Sequence, residues 1–334
     1  MVAAEGKRPK ALILISGGLD SMVAARLLLD QNIDVEALHF RTPFSEQNEE
    51  FVEKFCRDIG IKLHKIVLKK EYLKIVLAPK HGYGSEMNPC VDCRILELKK
   101  AKKVAEKIEA DFIATGEVLG ERPFSQNKDM MLHIEKEAGL EGKVLRPLSA
   151  KLLPETEAER KGYVNRERLY AIKGRRRTHQ MTLAKELGIF KYPNPAGGCL
   201  LTEPRFADRL KEHIKNEKKL TILDVELLKA GRHFRIGKTK VIVGRNEREN
   251  YRLSFLCSKN KNLAMLEVNE YMGPTTVIVG KHDVETLQTV AAITVRYSDA
   301  PKDTLVSLKY DGKNKRAILN AYAMPDSELR KYII

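Results

Sequence analysis

Short apolar runs alternate with longer amphipathic stretches through the first half of the chain. Ala11-Leu12-Ile13-Leu14-Ile15 is short and branched, the pattern of a strand buried on both faces. Residues 22–29 keep apolar side chains through several turns with strong helix formers, which predicts a helix. Residues 34–41 predict a second strand, 48–60 an amphipathic helix and 61–68 a third strand. The order β-α-β-α-β specifies a parallel sheet with right-handed crossovers. Ligands of such sheets sit beyond the carboxyl ends of the strands. Residues 72–77 are mostly apolar and give way to a loop over 78–89. A long helix over 95–110 follows, opened by Cys90-Val91-Asp92-Cys93-Arg94. Then come a strand at 112–115, a helix over 125–139 and a short strand over 143–148, with 154–187 read as helical and very basic in places.

Residues 205–216 and 220–229 predict two further helices, and from about Gly231 the pattern changes. Five short strand candidates, at 234–236, 241–243, 263–266, 276–279 and 304–308, enclose two helices near 248–258 and 284–296. The fold class expected is therefore α/β, a parallel sheet over residues 1–218, followed by a smaller α+β domain over 219–334.

Between the first strand and the first helix lies Ser16-Gly17-Gly18-Leu19-Asp20-Ser21. Two glycines let the backbone approach an anion closely, free N–H groups point at it, and the helix dipole favours its charge. Ser16 and Ser21 add hydroxyls. Asp20 is out of place beside an anion unless a metal ion or a capping bond accounts for it. The closing Lys-Ser or Lys-Thr of a Walker loop and the three-glycine dinucleotide fingerprint are both missing.

Composition narrows the partner. The 334 residues carry a net charge of +15, which favours a polyanion, most simply RNA. Apolar residues make up 43%, enough to bury a core, and no run approaches membrane-spanning length. The first ten residues hold no apolar signal core, which points to the cytoplasm. Five cysteines, an odd number, argue for metal or catalytic use over a disulfide framework. Cys56 reads as a small buried hydrophobe, Cys257 receives no role, and the eight histidines show no metal-ligand spacing. Cys90 and Cys93 form a CxxC at a helix start, where the dipole favours thiolates; a redox pair or half a zinc site has the same pattern. Cys199 stands alone after a loop at 192–198. Lys173-Gly174-Arg175-Arg176-Arg177 begins the densest positive cluster.

The hexapeptide at 16–21 resembles the loop of the PP-loop, or N-type ATP pyrophosphatase, superfamily, which cuts ATP between its α and β phosphates. Asn88-Pro89-Cys90-x-x-Cys93 with the later Gly198-Cys199 resembles the cysteine sites of the tRNA 2-thiouridylases, the MnmA family. Thr115-Gly116-Glu117-x-Leu119-Gly120 with Ser125-Gln126 resembles the tRNA 4-thiouridine synthetases, the ThiI family. Val243 to Leu253 resembles the opening of the NFACT RNA-binding domain. No separate RNA module precedes the first strand, as the 4-thiouridine enzymes have, which shifts the expected RNA-holding role to the C-terminal domain.

These resemblances imply an ATP-dependent, AMP-forming tRNA sulfurtransferase. A uridine carbonyl is adenylated, then sulfur displaces AMP. They imply ATP and Mg²⁺ at Ser16, Gly17, Gly18, Leu19, Asp20, Ser21, His39, Phe40, Thr115 and Gly116, with Asp20 and Cys199 catalytic. Cys90, Cys93 and Cys199 are expected to hold a 4Fe–4S cluster; a persulfide on Cys199 resolved by Cys93 or Cys90 is the other sulfur chemistry. tRNA and a sulfide or persulfide donor are the expected partners, and a dimer is one arrangement allowed. Two other readings are a PP-loop ligase or sulfur transferase acting on a small molecule or carrier protein, and a non-catalytic RNA-binding factor.

Overall fold

A computed structural model describes residues 8–45, 49–192, 199–313 and 315–334. Its chain divides into two compact units, Met1–Thr202 and Glu203–Ile334.

In the first unit the leading apolar run becomes β1 (Lys10–Leu14), flanked on both sides by parallel neighbours. In chain order the unit contains α1 (Leu19–Leu29), β2 (Asp34–Arg41), α2 (Glu49–Asp58), β3 (Lys62–Val67), α3 (Lys70–Leu77), α4 (Cys90–Lys107), β4 (Phe112–Thr115), α5 (Lys128–Ala138), β5 (Val144–Leu145), α6 (Glu157–Arg160) and α7 (Thr178–Glu186). The five strands run in the order β3-β2-β1-β4-β5, all parallel. Because side chains alternate across a strand, Ala11, Ile13 and Ile15 pack with α1 and α2, while Leu12 and Leu14 pack with α4 and α5. The sheet is thus covered on both faces, which explains strands without polar alternation. Strand order reverses between β1 and β4, the switch point at which a crevice opens beyond the carboxyl ends.

The expected long helix over 154–187 is corrected. Only the short α6, a 3₁₀ turn at Arg166–Arg168 and α7 form there, with tight turns at Gly162 and Gly174, whose φ angles are +71° and +85°. The segment's buried residues, Ala158, Val164, Leu169 and Ile172, lack helical spacing and pin an irregular chain to the core around α1.

The second unit opens with α8 (Pro204–Glu217) and α9 (Ile222–Leu228), followed by β6 (Arg232–Ile236), β7 (Thr239–Val243), α10 (Glu247–Lys259), β8 (Leu263–Val268), β9 (Thr276–Val279), α11 (Val284–Arg296), β10 (Val306–Gly312), β11 (Lys315–Ala321) and α12 (Asp326–Leu329). The units therefore part before α8, not at residue 218 as expected. Arg235 of β6 pairs with Glu212 and Glu217 of α8, which ties that helix to the second sheet. The six strands are antiparallel in the order β11-β10-β8-β9-β7-β6. α11 packs with Val241 and Val243 on one face; α9 and α10 pack with Ile242 on the other.

Candidate functional site

The turn after β1 builds itself from two hydroxyls and a left-handed glycine. Gly17 has φ +81°, a conformation costly for other residues. Gly18 N–H donates to Ser16 Oγ at 3.2 Å, Ser16 N–H donates to Ser21 Oγ at 3.3 Å, and Ser21 Oγ donates to the Gly18 carbonyl at 2.8 Å. Gly18 caps α1 without any side-chain bond. The loop is thereby folded back over the helix start, where backbone N–H groups face outward. Gly116, just past β4, lies so close that a Cβ there would meet Ser21 N at 2.4 Å and Ser21 Cα at 2.5 Å.

A cleft of about 290 Å³ opens at this rim, and Ser16, Gly18, Asp20, Ser21, His39, Phe40, Thr115 and Gly116 line it. So do Cys90, Cys93 and Cys199. Two expected contributors act differently. Gly17 shapes the turn, and the Leu19 side chain is buried in the core instead of lining the cleft. His39 Nδ1 sits 2.8 Å from the Ile15 carbonyl, fastening the end of β1 to β2.

Cys199 is far in sequence from the other thiols, and backbone bonds bring it home. It bridges to Ser45 in the loop after β2; Leu200 N–H donates to the Phe44 carbonyl at 3.1 Å. Met87 N–H, just ahead of the CxxC, donates to the Leu201 carbonyl at 3.1 Å. Residues 193–198, the expected delivering loop with Gly197-Gly198, lie outside the described residues.

Burial works against the expected dipole-favoured thiolates. It pushes the Cys90 thiol up against the pull of Arg122 and Arg94, and the Cys93 thiol well up, with Glu97 adding to it. The Cys199 thiol is raised to about 11, by burial first. Desolvation and the Glu97 carboxylate outweigh the start of α4 at this depth. Cys93 Sγ donates to Glu97 Oε1 at 3.7 Å, and the Tyr72 side chain of α3 hydrogen-bonds the same sulfur.

Charge is arranged in two groups. Asp20 is pushed up to about 6 by burial and by Glu121, while Arg177 pulls the other way from 3.6 Å. Among the described residues Asp20 Oδ1 is buried with no hydrogen-bond partner. Arg177 Nε also donates to Glu121 at 3.0 Å, so one arginine of the basic cluster turns into the cleft while Arg175 and Arg176 stay exposed. Glu117 forms the second group. Burial drives its pKa up, but Arg94 at 3.0 Å and Arg146 at 3.2 Å outweigh that and hold it below the ordinary value.

Residues 6–151 match the family profile described as thiamine biosynthesis protein (ThiI), and residues 231–333 match the NFACT protein RNA binding domain. The first part is ThiI-like; the last is NFACT-like. Among curated relatives, the tRNA-specific 2-thiouridylase MnmA of Sulfurimonas denitrificans is 37% identical over 115 residues, 32% of this chain and 34% of that protein. MnmA of Syntrophotalea carbinolica is 34% identical over 122 residues, covering 33% and 35%. MnmA of Shewanella putrefaciens is 26% identical over 222 residues, covering 61% and 56%. The chain thus spans about a third of the length of the first two and about half of the third. Of solved structures, a 4-thiouridine synthetase–RNA complex with bound ATP matches at 21% identity and TM-score 0.40, over 66% of this chain and 52% of that one. The U34-tRNA thiolase NcsA from Methanococcus maripaludis, with its 4Fe-4S cluster, matches at 19% and 0.34, over 63% and 68%.

Sequence reasoning missed Tyr72, Glu97, Arg94, Glu121, Arg122, Thr42 and Ser45, all of which line the cleft. Arg94 had a signal, since it follows Cys93 directly. Tyr72 had none: an apolar-looking helix gives no hint that it ends on a sulfur.

Proposed function

We propose that the chain is an ATP-dependent tRNA uridine thiolase. The observation that carries this is one cleft whose lining includes both Ser16, Gly18 and Ser21 and Cys90, Cys93 and Cys199. The N–H groups of the glycine turn would hold ATP's β and γ phosphates, and Asp20 would hold Mg²⁺. The orphaned Oδ1 and the raised pKa of Asp20 fit that role, because a bound cation supplies the missing partner and favours the carboxylate.

The uridine carbonyl oxygen attacks the α phosphorus, and pyrophosphate leaves onto the glycine turn. Arg177 neutralises part of the charge that spreads there, and an Mg²⁺ held by Asp20 would supply the rest. A sulfide sulfur then attacks the activated ring carbon, and the oxygen departs with AMP. Cys90, Cys93 and Cys199 fit three-point ligation of a 4Fe–4S cluster, since a metal deprotonates thiols that burial otherwise keeps neutral. Such a cluster would leave one iron open to hold the sulfide. The persulfide alternative would need a Cys199 thiolate, which burial disfavours in metal-free protein.

tRNA is the substrate this reading expects. Lys173, Arg175 and Arg176 are exposed beside Arg177, which lines the cleft. In the second unit, α10 exposes Tyr251 and Phe255 near Arg248, a face on which bases can stack. The test is to incubate the anaerobically purified protein with ATP, Mg²⁺, sulfide and total tRNA, then digest the RNA for nucleoside mass spectrometry. A thiouridine formed with AMP and pyrophosphate supports the proposal. AMP formed only with small acids or carrier proteins, or retained ATP without AMP, contradicts it.

A further inference from the structure

Along the chain the histidines show no metal-ligand spacing, but the fold corrects that reading by laying the loop over residues 78–89 against α5. Among the described residues, the ligand atoms of His81, His133 and Glu137 lie within 4.8 Å of one another. His133 and Glu137 are one turn apart on α5, on one face. His81 Nε2 and His133 Nε2 are 3.0 Å apart, with the rings edge-on at 74°. Two imidazoles on one tetrahedral ion, with metal–nitrogen distances of about 2.0–2.1 Å, hold their nitrogens about 3.3 Å apart. The observed pair is close to that spacing before any ion is considered.

The other ring nitrogen of His81 is fixed from behind. Its Nδ1 lies 3.0 Å from Asp92 Oδ1, and Asp92 Oδ2 accepts the His81 backbone N–H at 3.0 Å. An ionised carboxylate only accepts, so Nδ1 donates to Asp92 and Nε2 is the ring atom that faces His133. This carboxylate–histidine pairing is the outer support that metal-bound histidines use. Glu137 Oε1 accepts from Lys80 at 2.8 Å, which leaves its second oxygen free to ligate. All three side chains are half-buried, so an ion can reach them from solvent.

We propose that His81, His133 and Glu137 bind a divalent transition-metal ion, Zn²⁺ best suiting two imidazoles and a carboxylate, with Asp92 orienting His81. Three protein ligands leave a fourth position for water. The site is distinct from the three thiols and uses different donors. Asp92 sits between Cys90 and Cys93, so the ion ties α5 to the turn of α4 that carries those cysteines.

The test separates the two sites. Full-length protein carrying Cys90→Ala, Cys93→Ala and Cys199→Ala is stripped with chelator and titrated with Co²⁺, then Zn²⁺. The expected result is one equivalent of Co²⁺ with d–d bands, no sulfur-to-cobalt charge transfer, displacement by Zn²⁺ and a raised melting temperature with Zn²⁺. Adding His133→Gln abolishes the equivalent and the thermal shift. Asp92→Asn weakens binding by about 10- to 100-fold. If the cysteine variant does not fold, the wild-type protein is titrated and the nitrogen–oxygen bands are compared with those of His133→Gln alone. No stoichiometric Co²⁺ binding, or binding unchanged by His133→Gln, overturns the proposal.

Discussion

Asp20 shows how a side chain can be costly to the fold and useful to the site. Its carboxyl titrates at about 6, against an ordinary 3.8, because burial and Glu121 outweigh Arg177. A carboxyl with a raised folded pKa binds more protons folded than unfolded between these two values. Stability therefore falls as pH rises from about 4 to about 6, and above that the cost is on the order of 3 kcal/mol. Asp20→Asn is expected to abolish AMP formation yet melt at a higher temperature than wild type at neutral pH. That advantage should vanish below about pH 4, a pattern read from melting curves across pH. Cys199 supplies a second residue-level prediction. In metal-free protein its alkylation is slow at neutral pH and rises about tenfold per pH unit toward its raised value of about 11. Peptide mass spectrometry checks this. Fast neutral labelling would contradict the depth assigned to this sulfur. The sequence grouped these residues, and they line one cleft, but it carried nothing of their ionisation, since type and spacing say nothing of how deep a sulfur lies or that Glu97 stands beside it.

At the scale of elements, the turn after β1 and the turn after β4 are fitted to each other. Gly116→Ala would drive a methyl into the backbone of Ser21, which cannot yield without moving the first turn of α1. We expect a loss of about 1–3 kcal/mol in stability, by urea denaturation, together with loss of ATP binding. Wild-type affinity in this variant would mean the helix start need not stay where it is. Elements with strong patterns were legible: β2 at Asp34–Arg41, β4 at Phe112–Thr115 and α11 at Val284–Arg296 fall where the apolar runs place them. Two kinds of element were not. The chain over 154–187 has helix-forming residues without a helical apolar stripe, so tertiary packing of Val164 and Ile172 decided its path. β11 is an edge strand rich in charge, with Lys315 and Arg316 exposed; its partner β10, more than its own sequence, holds it in place.

At the scale of the molecule, each unit has its own core, and the matches follow the same division: ThiI-like residues in the first, NFACT-like in the second. The second unit, produced as residues 203–334, is expected to unfold cooperatively and to bind tRNA with steep salt dependence, measured by filter binding at several salt concentrations. A folded fragment without RNA affinity at low salt would remove RNA from its role. Among the described residues no helix is long and apolar enough to cross a membrane. The expected boundary at 218 fell too late because a helix followed by a loop looks the same whichever sheet it serves; the pairing of Arg235 with Glu212 and Glu217 assigns α8.

In the proposed reaction the glycine turn and the three thiols serve successive steps. The most direct test compares Asp20→Ala and Cys199→Ala side by side, measuring tRNA-dependent AMP release and thiouridine in the same incubation. Asp20→Ala should lose both products, while Cys199→Ala should bind ATP and release AMP without forming thiouridine. Undiminished thiouridine from Cys199→Ala would contradict the shared-cleft chemistry.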